Sequence, residues 1–314
     1  MISSKSHHYL KFLVIFSIII YLILMSIILC AKLINFQYIK IDGIFSYETN
    51  PNQTRNLIKK LNDEKYSIIF GSSRIQQVSS SIVKENLLNL NYIYARPDAI
   101  YDFLKKLDQN HWENIERIYV SLDLHSLTTE KYFVNVEEIF IETPKLEFLL
   151  QTIKESNLQS LNRSMKYLLE VLSNNQKIKY DDRGVRVYNK KNIWGGENPV
   201  RLKGKSYNNF ELARYVADIE KLCNQKNKKV IFLTPVLSKK YYEQHKKFFE
   251  DFISSILKYT NEFYFFYYIK EISDNHEYFR DESHLNIDGM YKWFNTDWEP
   301  YKISKDQKIL LRNK

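Results

Sequence analysis

The chain has 314 residues, with 46 Lys and Arg against 37 Asp and Glu, a formal net charge of +9. Its 7 Gly and 6 Pro exclude a collagen-like chain, and its 24 Tyr and 19 Phe exclude a disordered one, because so many aromatics can build a packed core. Two cysteines cannot form a disulfide framework, and the positive surplus alone admits nucleic acid, an anionic membrane surface or an acidic polymer as partner.

Residues 1–11 read as an N-terminal tail. From Phe12 to Ala31 twenty residues pass without a charge, most of them Ile, Leu, Val or Phe. At about 1.5 Å per residue such a helix crosses the roughly 30 Å hydrocarbon core of a bilayer. A soluble helix carries a polar face and this run has none, so residues 12–31 are expected to form a single transmembrane anchor. A cleaved signal peptide is the nearest alternative. Lys5 and Lys11 precede the run, but its apolar part is long for a signal and no A-x-A-like site follows. Charge does not orient the anchor, since Lys5 and Lys11 on one side oppose Lys32 and Lys40 on the other.

Residues 32–63 read as a linker and a first helix starting near Pro51. Tyr66 to Phe70 is a short apolar run closed by Gly71, which suits a buried strand. Ser72 to Leu90 reads as a loop and helix, Asn91 to Ala95 as a second strand, and Ala99 to Gln109 as a helix with Tyr101, Leu104 and Leu107 on one face. Arg117 to Leu124 reads as a third strand. Between about 129 and 207 the alternation breaks, giving a helical stretch over 145–175 and a hairpin over Tyr180 to Tyr188 that turns at Arg183 and Gly184. Four of the seven glycines fall there, and the segment is expected to be an insertion that caps the domain or faces substrate. Phe210 to Asn227 is helical by period, Lys229 to Leu233 is a strand closed by Thr234 and Pro235, Tyr241 to Tyr259 is a helix, and Phe263 to Ile269 is a final strand. Residues 296–314 read as a C-terminal tail. Strand and helix alternating in this way predict an α/β domain over 64–295, three-layered around a mostly parallel sheet, with functional groups at the carboxyl ends of strands.

Two elements carry the residue types of a nucleophilic site. Gly71-Ser72-Ser73-Arg74 lies where the first strand gives way to a helix, a position that exposes a serine hydroxyl and aims the following amides at one point. Either serine could instead simply cap that helix. Asp281 and His284 follow the last strand and stand three positions apart, so a helical turn or tight loop can set the carboxylate against the imidazole and orient it as a general base. His276, Asp281 and His284 match no zinc-ligand spacing, so no metal and no cofactor are expected. No Walker loop, zinc-finger spacing or aromatic-basic RNA motif is present, and nucleic acid is not the expected partner.

Taken together these two elements resemble those of the SGNH or GDSL-type hydrolases. More narrowly, they are similar to the membrane-anchored bacterial branch that modifies the cell envelope, which includes the alginate O-acetyltransferases and the D-alanyl transfer protein of the teichoic-acid pathway. The resemblance covers about residues 64–125 and 210–295 and implies an SGNH-hydrolase-like, flavodoxin-like fold. It implies that Ser73 is the nucleophile, with His284 and Asp281 as base and orienting carboxylate. Ile118 to Asp123 and Val230 to Pro235 match the family's strand ending in Asp and strand ending in Pro. The residues around the oxyanion and substrate would be Gly71, Ser72, Arg74, Ala95 and Asp123. Two of these depart from the family. Ala95, in Tyr94-Ala95-Arg96-Pro97, stands where an oxyanion-hole glycine is expected, and Asp123 stands where an asparagine is expected. An ionised Asp123 would repel an oxyanion, leaving the hole to the Ser73 N–H and Arg74.

The resemblance further implies an extracytoplasmic acyltransferase or esterase, acting on acetyl or other acyl groups of a cell-surface polysaccharide. A multi-pass membrane acyltransferase is the implied partner that supplies the acyl group. The alternative is a catalytically inactive anchored module that binds glycan or scaffolds an envelope assembly. A basic domain facing the cytoplasmic leaflet is the third reading.

Overall fold

The computed structural model describes residues 4–35, 51–91, 96–127, 136–140, 154, 158–172, 179–187, 210–260 and 262–304. The chain forms two compact units, one from Met1–Glu48 and Ile141–Lys179, the other from Thr49–Phe140 and Tyr180–Lys314. The stretch expected to be one insertion is thus divided, its middle part from Ile141 to Lys179 grouping with the N-terminal segment and the residues on either side of it with the sheet.

The strands are β1 (Tyr66–Phe70), β2 (Leu87–Asn89), β3 (Ile115–Ser121), β4 (Lys179–Tyr180), β5 (Arg186–Val187), β6 (Lys229–Leu233), β7 (Glu262–Tyr264), β8 (Phe279–Asp281), β9 (His284–Leu285) and β10 (Lys302–Ser304). Six of them make one sheet in the order β10-β7-β6-β3-β1-β2. Every pair is parallel except β10 on β7. The α/β expectation with a mostly parallel sheet therefore holds.

Side chains alternate across a strand, and here both faces are apolar. Ile68, Phe70, Ile118, Val120 and Phe232 join a core with the helices Pro97–Lys106, Arg214–Gln225 and Lys239–Ile256, through residues such as Phe103, Ile219 and Phe252. Ile69, Tyr119, Ile231 and Leu233 join a second core with Ile75, Ile82, Ile272, Met290 and Trp293. The helices begin where their caps lie: Pro97 occupies a first-turn position, and the Ser238 hydroxyl accepts from the Tyr241 N–H at 3.3 Å.

The order also positions the site. From β1 the chain moves outward to β2, then returns to place β3 on the other flank of β1. The carboxyl ends of β1 and β3 therefore border the switch point where an open α/β sheet leaves a crevice.

Three local expectations are corrected. Leu87–Asn89, expected to belong to a loop and helix, is a strand beside β1, and of the 91–95 run expected as the second strand only Asn91 falls within the described residues. The buried Asn89 amide donates to the Ile75 and Val78 carbonyls at 2.8 and 3.1 Å. The aromatic run after Phe263 leaves the ladder at Tyr264, because the Phe266 N–H donates to Thr234 Oγ1 at 2.7 Å. Phe266 and Tyr267 are then buried in irregular backbone. The segment read as a tail supplies β10, an antiparallel edge strand whose Lys302 pairs with Glu262 at 2.8 Å.

The expected hairpin at Arg183 and Gly184 is present between β4 and β5. Gly184 has φ +79°, and a Cβ there would run into the Asn89 carbonyl oxygen and the Leu57 side chain. Gly184→Ala should therefore destabilise the protein by more than about 1 kcal/mol, read as a lower urea midpoint at unchanged slope.

In the other unit the N-terminal helix runs over Ser4–Asn35. Its segment Lys11–Leu33, 23 residues, is long and apolar enough to cross a membrane by length and composition. Large apolar side chains from Phe12 to Ile23 stand exposed along it, which suits a lipid surrounding.

Candidate active site

Gly71 follows β1 directly, and a Cβ on it would meet the Ile75 side chain and, at 3.1 Å, Ser121 Cβ. Only glycine lets the chain pass so close to β3 and turn at once. Ser72 is extended and caps a short 3₁₀ turn, Ser73–Ile75, its hydroxyl accepting from the Arg74 N–H at 3.3 Å. Ser72 and Arg74 are buried, while Ser73 is partly exposed.

Asp281 and His284 face each other across the β8–β9 hairpin, with Glu282 and Ser283 at its turn. The tight loop, not a helical turn, brings them together. Asp281 Oδ1 accepts from the Ser283 N–H at 3.0 Å and the Ser283 hydroxyl at 3.2 Å, and lies 2.8 Å from His284 Nδ1. His284 Nε2 lies 2.8 Å from Ser73 Oγ. With Nδ1–H donating to Asp281, Nε2 is the acceptor for the Ser73 hydroxyl proton. The hairpin is held from both sides. Glu282 O accepts from Ser238 N and Oγ at 3.2 and 2.7 Å, and Asn286 Oδ1 caps the following helix through Gly289 N at 3.0 Å.

Electrostatics fit this geometry. Burial pushes the His284 imidazole below its usual 6.5; the hydrogen bond to Asp281 raises it, and the Arg74 and Arg280 charges lower it again. For Asp281, burial favours the neutral acid, but the hydrogen bond to His284, the Ser283 N–H and the Arg280 charge bring its carboxyl down to about 2. A neutral imidazole beside an ionised carboxylate is the resting state that a general base requires.

Asp123 lies just beyond β3 and is buried, and its carboxylate is not free to face an oxyanion. Its Oδ2 receives Arg74 Nη1 at 2.9 Å and also accepts from the Ser72 hydroxyl. The Asp123 N–H donates to Ser126 Oγ at 2.8 Å. Burial works against the Arg74 charge, but Asp123 outweighs it and holds the guanidinium above its ordinary range. Tyr267, fully buried beside this pair, has its hydroxyl pushed well up by burial and then by the Asp123 charge. Asp123, which stands where a donor is expected, thus accepts, and its charge is matched by Arg74. The same contact turns the Arg74 head group toward Asp123.

The structure thus brings Ser73, His284 and Asp281 into one hydrogen-bonded line, with Gly71, Ser72, Arg74 and Asp123 beneath the serine. Ala95 lies outside the described residues. Ser126, Ser283 and Tyr267 were not singled out from the sequence. Only Ser283 carried a signal, since a serine between Asp and His can donate back to the Asp as a turn residue. Among the described residues no group of three His, Cys, Asp or Glu side chains could hold a metal ion. No protein-family model matches the chain, and no curated protein is significantly similar to it.

Proposed function

We propose that the protein is a membrane-anchored, extracytoplasmic SGNH-like acyltransferase or esterase acting on acyl groups, acetyl foremost, of a cell-surface polysaccharide. The observation that carries this reading is the hydrogen-bonded line Ser73–His284–Asp281, assembled from residues 211 positions apart at the carboxyl end of a parallel sheet. Ser73 Oγ attacks the acyl carbonyl carbon while His284 Nε2 takes its proton. The tetrahedral adduct collapses to a Ser73 ester, and the departing oxygen receives that proton from Nε2–H. A sugar hydroxyl, or water, then gives its proton to His284 and attacks the ester carbonyl, and Ser73 Oγ recovers the proton as it leaves. The Ser73 N–H opens the 3₁₀ turn, where intrahelical bonding does not use it, and supports the oxyanion. By the same family resemblance, a multi-pass membrane acyltransferase supplies the acyl group. Replacing Ser73 with Ala in a cell that carries the protein should lower the acyl ester content of its envelope glycan; unchanged content with full expression would sink the reading.

The base must be neutral to act, so the rate of a Ser73-dependent ester cleavage should fall as pH drops through the His284 pKa. Because that pKa is lowered, the half-maximal point should lie below pH 6.5, with a plateau above it. A half-point above 6.5 in a pH–rate profile contradicts the assignment.

One observation favours a second reading, an anchored module that binds glycan without turnover. Asp123 stands where the family's asparagine donor is expected, and its buried carboxylate accepts from Arg74 and Ser72. A fluorophosphonate probe separates the two readings, since only an activated serine is labelled.

A further inference from the structure

The helix Leu158–Leu172 belongs to the same unit as the N-terminal helix and packs against it. The N-terminal helix records where. Its side chains are exposed through Ile23, but from Leu24 to Leu33 most are half-buried or buried, Ile28 and Ala31 almost fully. The contact thus covers the C-terminal part of the Lys11–Leu33 segment from Leu24 on, within roughly 15 Å of its end at about 1.5 Å per residue. On the partner helix the contacting side is marked by Ser164, which is buried, flanked by the half-buried Leu161 and Leu168.

The remainder of that helix sorts by angle. Met165 and Leu169, four residues apart and on one stripe, are exposed at 41 and 61 %. Going round the helix from that stripe, Asn162 borders Leu169, Lys166 follows and Arg163 lies farthest away, about 160° from Met165 at roughly 100° per residue, and all three are exposed. A helix of 15 residues is roughly 22 Å long, too short to cross the roughly 30 Å core, and it is strongly amphipathic with cations on its polar side. Two large apolar side chains left uncovered beside a segment surrounded by lipid have an obvious cover in that same lipid.

We infer that Leu158–Leu172 is an interfacial membrane helix, lying beside the end of the anchor with Met165 and Leu169 in the acyl chains and Arg163 and Lys166 at the phosphate headgroups. The inference rests on the anchor reading of the N-terminal helix and is independent of any catalytic role. It gives the protein a two-point mount, a span plus an in-plane helix, and predicts preference for anionic lipid.

The test places single nitroxide labels in the full chain reconstituted in phosphatidylcholine and phosphatidylglycerol vesicles, with Cys30 changed to Ala and the buried Cys223 retained. Labels go on Met165→Cys, Leu169→Cys, Arg163→Cys and Lys166→Cys, and on Ile19→Cys as a marker inside the anchor. The ratio of collisions with oxygen to collisions with a water-soluble nickel complex should be several-fold higher at 165 and 169 than at 163 and 166, and should approach the value at 19. A water-like ratio at 165 and 169 with a lipid-like ratio at 19 overturns the inference and leaves the anchor standing. Shielding of 165 and 169 from both reagents overturns it by showing that protein covers the face. A water-like ratio at 19 removes the anchor reading and the inference together.

Discussion

Replacing Ser73 with alanine is expected to abolish covalent labelling by a fluorophosphonate and to slow cleavage of an activated ester by about 10⁴-fold or more, because the attacking atom is gone. His284→Ala should be nearly as severe: Ser73 would keep its hydroxyl, but the imidazole nitrogen 2.8 Å from it would be lost. Asp281→Asn is the finer probe. The amide can hold the ring but invites the wrong tautomer, with Nε2 protonated and unable to accept, so a loss of about 10⁴-fold is expected without loss of fold. Side chains that act as one unit are not additive, and the Ser73→Ala/His284→Ala double variant should be no slower than either single variant. Probe kinetics on purified full-length protein check all four. Equal labelling of wild type and Ser73→Ala rejects the serine as nucleophile, whereas absence of labelling in a folded wild type supports the non-catalytic module.

How far this was legible in the sequence depended on the range over which each signal acts. β1 and β6 match their apolar runs residue for residue, because each is a short buried stretch closed by a breaker, Gly71 in one case and Thr234-Pro235 in the other. The Leu87–Asn89 strand was hidden because Asn89 resembles a turn residue until its two carbonyl partners, 14 and 11 positions away, are in place. β10 was hidden for a related reason: an edge strand with a lysine and a serine needs only one good neighbour, and its charge is a guard against further pairing. At the site, Ser73 could be found because it follows a clearly apolar strand closed by Gly71, whereas Asp281 and His284, at the facing ends of the short β8 and β9, were legible by their spacing and the family resemblance. Asp123 could be located but not understood. Its partner Arg74 is 49 positions away on another strand end, so the sequence presents a carboxylate where the fold presents an ion pair.

That ion pair sets the second large expectation. Asp123→Ala would leave the Arg74 guanidinium buried at 5 % exposure without its carboxylate, and stability should fall by about 3–5 kcal/mol, since stripping one partner from a buried pair strands the other. Removing both charges is a different matter. Arg74→Met/Asp123→Leu deletes the desolvation cost together with the attraction, and buried pairs replaced by apolar side chains of similar volume are often neutral or more stable by about 1–4 kcal/mol. The double variant should therefore recover the urea midpoint that Asp123→Ala loses. It should not recover ester cleavage, because the Asp123 carboxylate also receives the Ser72 hydroxyl and so ties the end of β3 to the residue before the nucleophile. Asp123→Asn distinguishes the two roles within one position. Its carbonyl oxygen can still accept from Ser72 and Arg74, so it should lose less stability than Asp123→Ala and retain more activity than the double variant. Recovery of full activity along with stability in Arg74→Met/Asp123→Leu would show that the pair is only a packing element. A stable but slow double variant assigns it the positioning of Ser73.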